Sequence, residues 1–162
     1  MEIRLHGALW RSAEGGRREE WQRMIDELNA DNEIASLQGD EGDFALEIVR
    51  LPSKNFQLRV LRDVFEREAE VTLDAERMES LFKDYSATIR QMVRMDQDAP
   101  ARGFESMDYA KRVVHDEGAE FMYETLSTIL KLRPIDARRL FTLIFLIAGD
   151  LPADLVRYHR VH

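Results

Sequence analysis

The stretch "YAKRVVHDEGAEF", residues 109–121, sets a histidine beside two acids and adds a third acid after a glycine. Imidazole exchanges protons near neutral pH, and carboxylates can orient it or join it around a divalent metal. Both chemistries depend on the three groups converging. If residues 105–127 form one helix, each step turns the side chain by about 100°. Met107, Ala110, Val114, Gly118, Phe121 and Thr125 then gather on the predicted core face, with His115 at its border. Asp116 points away from the core and Glu117 toward the opposite flank, so the neighbours diverge. A metal pair on one helix needs ligands three or four residues apart, and His115 has Lys111 at i−4, Gly118 at i+3 and Ala119 at i+4. No metal site and no cofactor is expected; His115 is read first as a border histidine that packs on Met122 and hydrogen-bonds a neighbouring element, and second as a single acid–base or ligand-contact candidate that needs a partner from another element.

Tyr85, in "FKDY", offers such a hydroxyl, although a buried phenol is the commoner reading. Glu117, Glu120 and Glu124 recur at i, i+3 and i+7, a stripe that repels itself unless cations face it; a solvated charged face is the first reading, with Arg138 and Arg139 as the candidate cations of an ion-pair site. Gly118 in a helix interior costs about 1 kcal/mol relative to alanine, which points to close approach by another element, expected to be the last helix. There is no glycine-rich phosphate loop, no nucleophile elbow and no calcium loop; "QGDEGD" at 38–43 lacks calcium spacing and reads as a turn.

These residues need a scaffold. Ile3, Leu5, Gly7 and Leu9 alternate with Glu2, Arg4 and His6, so the first ten residues read as a strand. Trp21, Met24, Ile25 and Leu28 fall at helical spacing in a helix ending near "NADN". "FALEIVRL" and "FQLRVLRDVF" alternate again around the turn "LPSKN" and predict an antiparallel hairpin, and "EAEVTL" a fourth short strand. From Asp74 the period becomes helical through Met78, Leu81, Phe82, Tyr85, Ile89, Met92 and Val93, with Asp74 as cap. "DQDAPARG" at 96–103 breaks the pattern, a helix follows over 105–127, and another begins with Asp136 as N-cap and ends near Ala148. The fold class is α+β: an antiparallel sheet of three or four strands from the N-terminal half, packed against three or four helices mostly from the C-terminal half. Residues 1–148 form a single domain, with 149–162 a partly helical or frayed tail.

Across 162 residues, 44% hydrophobic and 33% charged, there is enough apolar surface for one core. Thirty-one acids against 23 bases give a net charge of −8, which opposes nucleic-acid and anionic-lipid partners. Without cysteine there is no disulfide and no thiol chemistry. The N-terminus lacks a signal-like apolar stretch, and the most apolar run, 140–148, falls well short of the ~20 residues that span a bilayer. A cytoplasmic location is expected. Apolar residues cover nearly the whole circumference of 136–148, so that helix is either buried on most sides or faces a second subunit, and a homodimer through it is expected.

Three blocks in order, "FKDY" at 82–85, "MDYAKRVVHDEGAEFM" at 107–122 and "DARRLFTLI" at 136–144, resemble uncharacterised protein family 0262 of bacteria. The likeness runs over about residues 1–148 and implies a small cytoplasmic bacterial protein, with no activity to transfer. From the residues themselves, the leading expectation is a non-enzymatic domain that binds a protein or a small ligand. The alternative is a small enzyme acting on an anionic substrate, with His115 as acid or base beside Tyr85, Arg138 or Arg139.

Overall fold

A computed structural model describes residues 1–37, 43–62, 66–98 and 104–148, apart from the side chains of 95–98 and 104–109. Most of "QGDEGD", the break at 99–103, the side chain of Met107 and the tail 149–162 lie outside the described residues.

Alternating patterning produces strands β1 (Glu2–Leu5), β3 (Phe44–Arg50), β4 (Phe56–Arg62) and β5 (Glu66–Thr72), with β2 (Ala35–Ser36) and β6 (Leu130–Lys131) as two-residue strands. The helices are α1 (Gly7–Arg11), α2 (Arg17–Ala30), α3 (Ala75–Asp98), α4 (Phe104–Leu126) and α5 (Pro134–Ala148). The expected α+β class is therefore observed. The main sheet runs β1-β3-β4-β5; β3, β4 and β5 pair antiparallel as expected, while β1 pairs parallel to β3 with Ile3 opposite Leu46. A parallel neighbour needs a crossover, and α2 lies within it.

The first strand is shorter than its alternation predicts. His6 leaves the extended path, and its Nδ1 accepts a hydrogen bond from the Ala8 N–H at 3.1 Å, starting α1. The exposed edge of β1 is covered by α2, whose Asn29 accepts from Ile3 N at 2.7 Å and donates to Ile3 O at 3.1 Å. A side-chain amide thus takes the place of a neighbouring strand. Trp21, Met24, Ile25 and Leu28 are buried, as the helical spacing predicts. On the other face of the sheet, Glu47 lies 4.0 Å from both Arg4 and Arg59 across adjacent strands.

The inner sheet face carries Ile3, Leu5, Leu46, Ile48, Leu58 and Val60 into one core shared with α2, α3, α4 and α5. Asp74 caps α3, accepting from Arg77 N at 3.0 Å. Helix α5 packs against both α2 and α4, and its apolar residues from Leu140 to Ile147 are buried within this one chain. The near-complete apolar circumference is thereby accounted for by intrachain burial. No described helix is long and apolar enough to cross a membrane.

Candidate functional site

Helix α4 buries a different line from the one expected. Lys111, His115, Gly118, Met122 and Leu126 are buried, at spacings of four, three, four and four, while Ala110, Val114, Phe121 and Thr125 are only half-buried. The buried face is rotated so that its centre passes through two polar residues. His115 is 3% exposed and so lies inside the layer, not at its border. Its Nε2 is 2.8 Å from Thr142 Oγ1 on α5, and that hydroxyl donates in turn to Arg138 O at 3.0 Å. The tautomer of His115 sets which partner donates in the first bond.

Tyr85 of α3 is also fully buried, with its ring centroid 5.5 Å from that of His115 and 4.7 Å from that of Phe145. The structure brings together the two residues proposed from sequence for acid–base work. Burial pushes the Tyr85 phenol well above its ordinary range, with the charge of Arg138 opposing only part of that rise. A phenol held neutral can hydrogen-bond, but it supplies no base at neutral pH. Phe141 completes the cluster, edge-on to His115 at 5.5 Å, and its ring fills the space above Gly118. A Cβ on Gly118 would stand 2.5 Å from Phe141 Cε2 and 2.6 Å from Cε1. The expected close approach by the last helix at Gly118 is thus made by a ring.

The proposed cations form ion pairs with other acids, although Arg138 lines one groove together with Glu120 of the stripe. Arg138 pairs with Asp116, and Arg139 with Asp31 at the end of α2, donating to its carboxylate at 3.1 Å and its carbonyl at 2.8 Å. Glu117, Glu120 and Glu124 are exposed on the outer side of α4. Asp116, expected to point into solvent, is exposed and still reaches α5.

Asp136 is not the N-cap of α5 but its third residue, because Pro134, lacking an N–H, takes the first helical position. Its carboxylate reaches back to the Arg133 N–H at 3.0 Å and receives the Arg133 guanidinium on both oxygens, Nε at 3.1 Å and Nη2 at 3.0 Å. Burial pushes this carboxyl up, and the Arg133 hydrogen bonds outweigh the burial and leave it below the usual range. Arg133 also reaches Asp31 at 3.3 Å. Hydrogen bonds from Arg139 and then Arg133 hold Asp31 below the usual range as well. The acids and arginines around "DARR" therefore form a clamp between the end of α2 and the start of α5. Sequence reasoning missed Arg133 and Asp31, because the clamp spans about a hundred residues of chain.

Sequence reasoning also missed a groove of about 540 Å3 where the β3–β4 hairpin meets the start of α3 and the end of α5. Phe56, Leu73, Met78 and Phe82, all buried, form its floor, and Arg50, Lys54, Lys83 and Glu79 line it as well. Its size falls within the ~300–1,000 Å3 of small-ligand sites. A shallower groove of about 420 Å3 lies between α4 and the start of α5, lined by Tyr123, Ile135, Asp116 and Arg138. Neither groove includes His115 or Tyr85. The signal for the first was present in "LPSKN", a turn carrying lysine, serine and asparagine, but it reads as a ligand site only once α3 is folded beside it.

The architecture defines a class: an α+β domain with a four-stranded, mostly antiparallel sheet and a helical layer closed around an aromatic and histidine cluster. A model of Uncharacterised protein family UPF0262 matches residues 1–149, and the chain belongs to that family. A UPF0262 protein of Granulibacter bethesdensis is 36% identical to it over 64 residues, which cover 40% of this chain and 36% of that protein's length. No solved structure matches.

Proposed function

We propose that this chain is a non-enzymatic domain that binds a small ligand in the groove between the β3–β4 hairpin and α3. The observation that carries this reading is the composition of the groove, in which exposed cations surround a buried apolar floor. A floor of that kind rewards burial of a hydrocarbon surface, and polar groups at a rim orient what binds. By contrast, the His115 and Tyr85 cluster lies inside the helical layer, with His115 bonded to Thr142. An enzyme built on His115 would have to open α4 from α5 to admit a substrate, at the cost of the packing of Gly118 on Phe141.

The test is a small-molecule screen on the isotopically labelled full chain, read by amide chemical shifts. Binders should perturb residues 50–56 and 75–83. Saturable binders that perturb α4 around His115 instead would replace this reading with the enzyme alternative, and the absence of any binder at the groove would sink it.

A further inference from the structure

We infer that the ligand is a free amphiphilic monocarboxylate, held by its head at Arg50 and Lys54 with its hydrocarbon part on Phe56, Met78 and Phe82; this rests on the groove being the binding site. The first reason is charge. The chain carries 31 acids against 23 bases, yet the groove is lined by three cations, Arg50, Lys54 and Lys83, and one acid, Glu79. Glu79 lies 3.7 Å from Lys83 on the same helix face, which leaves Arg50 and Lys54 as the cations of the hairpin side. A local inversion of sign in an acidic protein favours an anion there over the rest of the surface.

The second reason is the geometry of those two cations. Arg50 faces Phe56 across the β3–β4 pair, and its guanidinium carbon lies 5.3 Å from the centre of the Phe56 ring. Contact with the ring places a guanidinium, whose fork matches the spacing of a carboxylate, on the hairpin side of the groove. Lys54 occupies the hairpin tip with φ at 69°, where Leu51 N–H donates to Asn55 O and Lys54 N–H to Leu51 O, both at 2.8 Å. The left-handed region disfavours a side chain such as lysine, so this conformation is held by the turn, and it presents Lys54 among the residues that line the groove.

The third reason sets the charge of the head. A phosphate dianion commonly uses the unpaired N–H groups of a helix start. The start of α3 adjoins the groove through Leu73 and Ala75, but its N–H groups face the carboxylate of Asp74, which is already bonded to Arg77 N. A fixed negative charge at that end penalises a dianion more than a monoanion. The apolar floor supplies the remaining recognition, because the small parts of Phe56, Met78 and Phe82 that the groove reaches would lose water to a hydrocarbon.

Titration calorimetry on the full chain would compare decanoate, kept below its micelle concentration, with 1-decanol, inorganic phosphate and phosphatidylglycerol vesicles. Amide shifts would be mapped in parallel. Decanoate should bind at one site with shifts at Arg50, Phe56 and Phe82, 1-decanol about tenfold or more weakly, and phosphate more weakly still. The Arg50→Gln, Lys54→Gln double variant should lose about tenfold for decanoate and little for 1-decanol. Both side chains are exposed, so an unchanged circular dichroism spectrum and melting temperature are expected to show the fold intact. Equal binding of decanoate and 1-decanol at the groove would overturn the carboxylate while leaving the groove as the binding site. Tighter phosphate binding would overturn the monoanion, and vesicle binding without decanoate binding would overturn the free ligand. No saturable binding at the groove by any arm of the panel overturns the carboxylate inference; the broader groove reading then falls only if the unbiased screen also finds no binder there.

Discussion

Replacing Gly118 by alanine tests the packing of the helical layer directly, because two opposing effects can be sized. In an exposed helix this substitution gains about 1 kcal/mol through lower backbone entropy in the unfolded chain. Here the new Cβ would lie 2.5 Å from one ring carbon of Phe141 and 2.6 Å from another, about 1 Å inside the ~3.5–4.0 Å of ordinary carbon contacts. The ring has nowhere to go, since Phe82, Tyr85 and His115 stand 5.9, 6.2 and 5.5 Å from it, centre to centre. Inserting a carbon into a filled core costs ~1–3 kcal/mol, and the close contact with a confined ring puts this case near the top of the range. The net expectation is a loss of about 2 kcal/mol.

Urea unfolding measures this as a midpoint lowered by about 1 M at unchanged slope, and thermal unfolding as a drop of about 4–8 °C for a domain of this size. The decisive control is Phe141→Leu, which removes the ring edge facing Gly118. In that background Gly118→Ala should be neutral or stabilising by up to about 1 kcal/mol, so the two sites should be coupled by ~2–3 kcal/mol. A Gly118→Ala variant more stable than the parent, or one equally destabilised in both backgrounds, would refute the assignment of Gly118 as a notch for Phe141.

Two further predictions concern pH. The folded values of Asp136 and Asp31 both lie below the ordinary carboxylate range, so their contribution is present above the unfolded value of ~3.9 and is lost as pH falls through the folded values. Stability should therefore decline below about pH 4. Asp136→Asn should cost ~2 kcal/mol at neutral pH by removing a charge-assisted pair and should flatten that acid limb, both read from urea midpoints against pH. Tyr85 has the opposite sign: its folded value is raised, so its contribution is complete below the unfolded value of ~10 and is lost as pH rises beyond it. Tyrosinate absorbance should show one fewer phenol titrating in the native protein than in urea, and Tyr85→Phe should abolish that difference.

Much of the fold follows from periodicity that survives folding. The hairpin of β3 and β4, the buried stripe of α2 and the cap of α3 by Asp74 are all local patterns that tertiary contacts reinforce. The expectations that failed are those in which a local rule met a competing partner. His6 ended the first strand because its ring could cap a helix, and Pro134 displaced Asp136 from the cap position. The parallel pairing of β1 and the two-residue β2–β6 pair depend on distant chain and leave almost no period to read. On α4 the misplacement came from residue type: the polar His115 was placed at the border and Lys111 left out of the core stripe, whereas both are buried, His115 bonded to Thr142 of α5.

That misplacement separates what identifies the family from what the domain binds. The blocks that carry the resemblance contain Tyr85, His115, Gly118, Asp136 and Arg139, and each of these is engaged in holding α3, α4, α5 and the end of α2 together. A layer built this tightly constrains sequence strongly, because a one-carbon change at Gly118 already costs a sizeable part of the ~5–15 kcal/mol that stabilises a typical domain. The tip of the hairpin "LPSKN" is under no such packing constraint, since Ser53 and Lys54 are exposed there. Only "FKDY" joins the two regions, placing Phe82 and Lys83 at the groove and Tyr85 in the cluster one turn away. If the groove is the binding site, the helical layer fixes its floor through α3 while the hairpin sets which head group is accepted. On this division, relatives that keep the helical blocks but change residues 50–55 would keep the fold and differ in ligand.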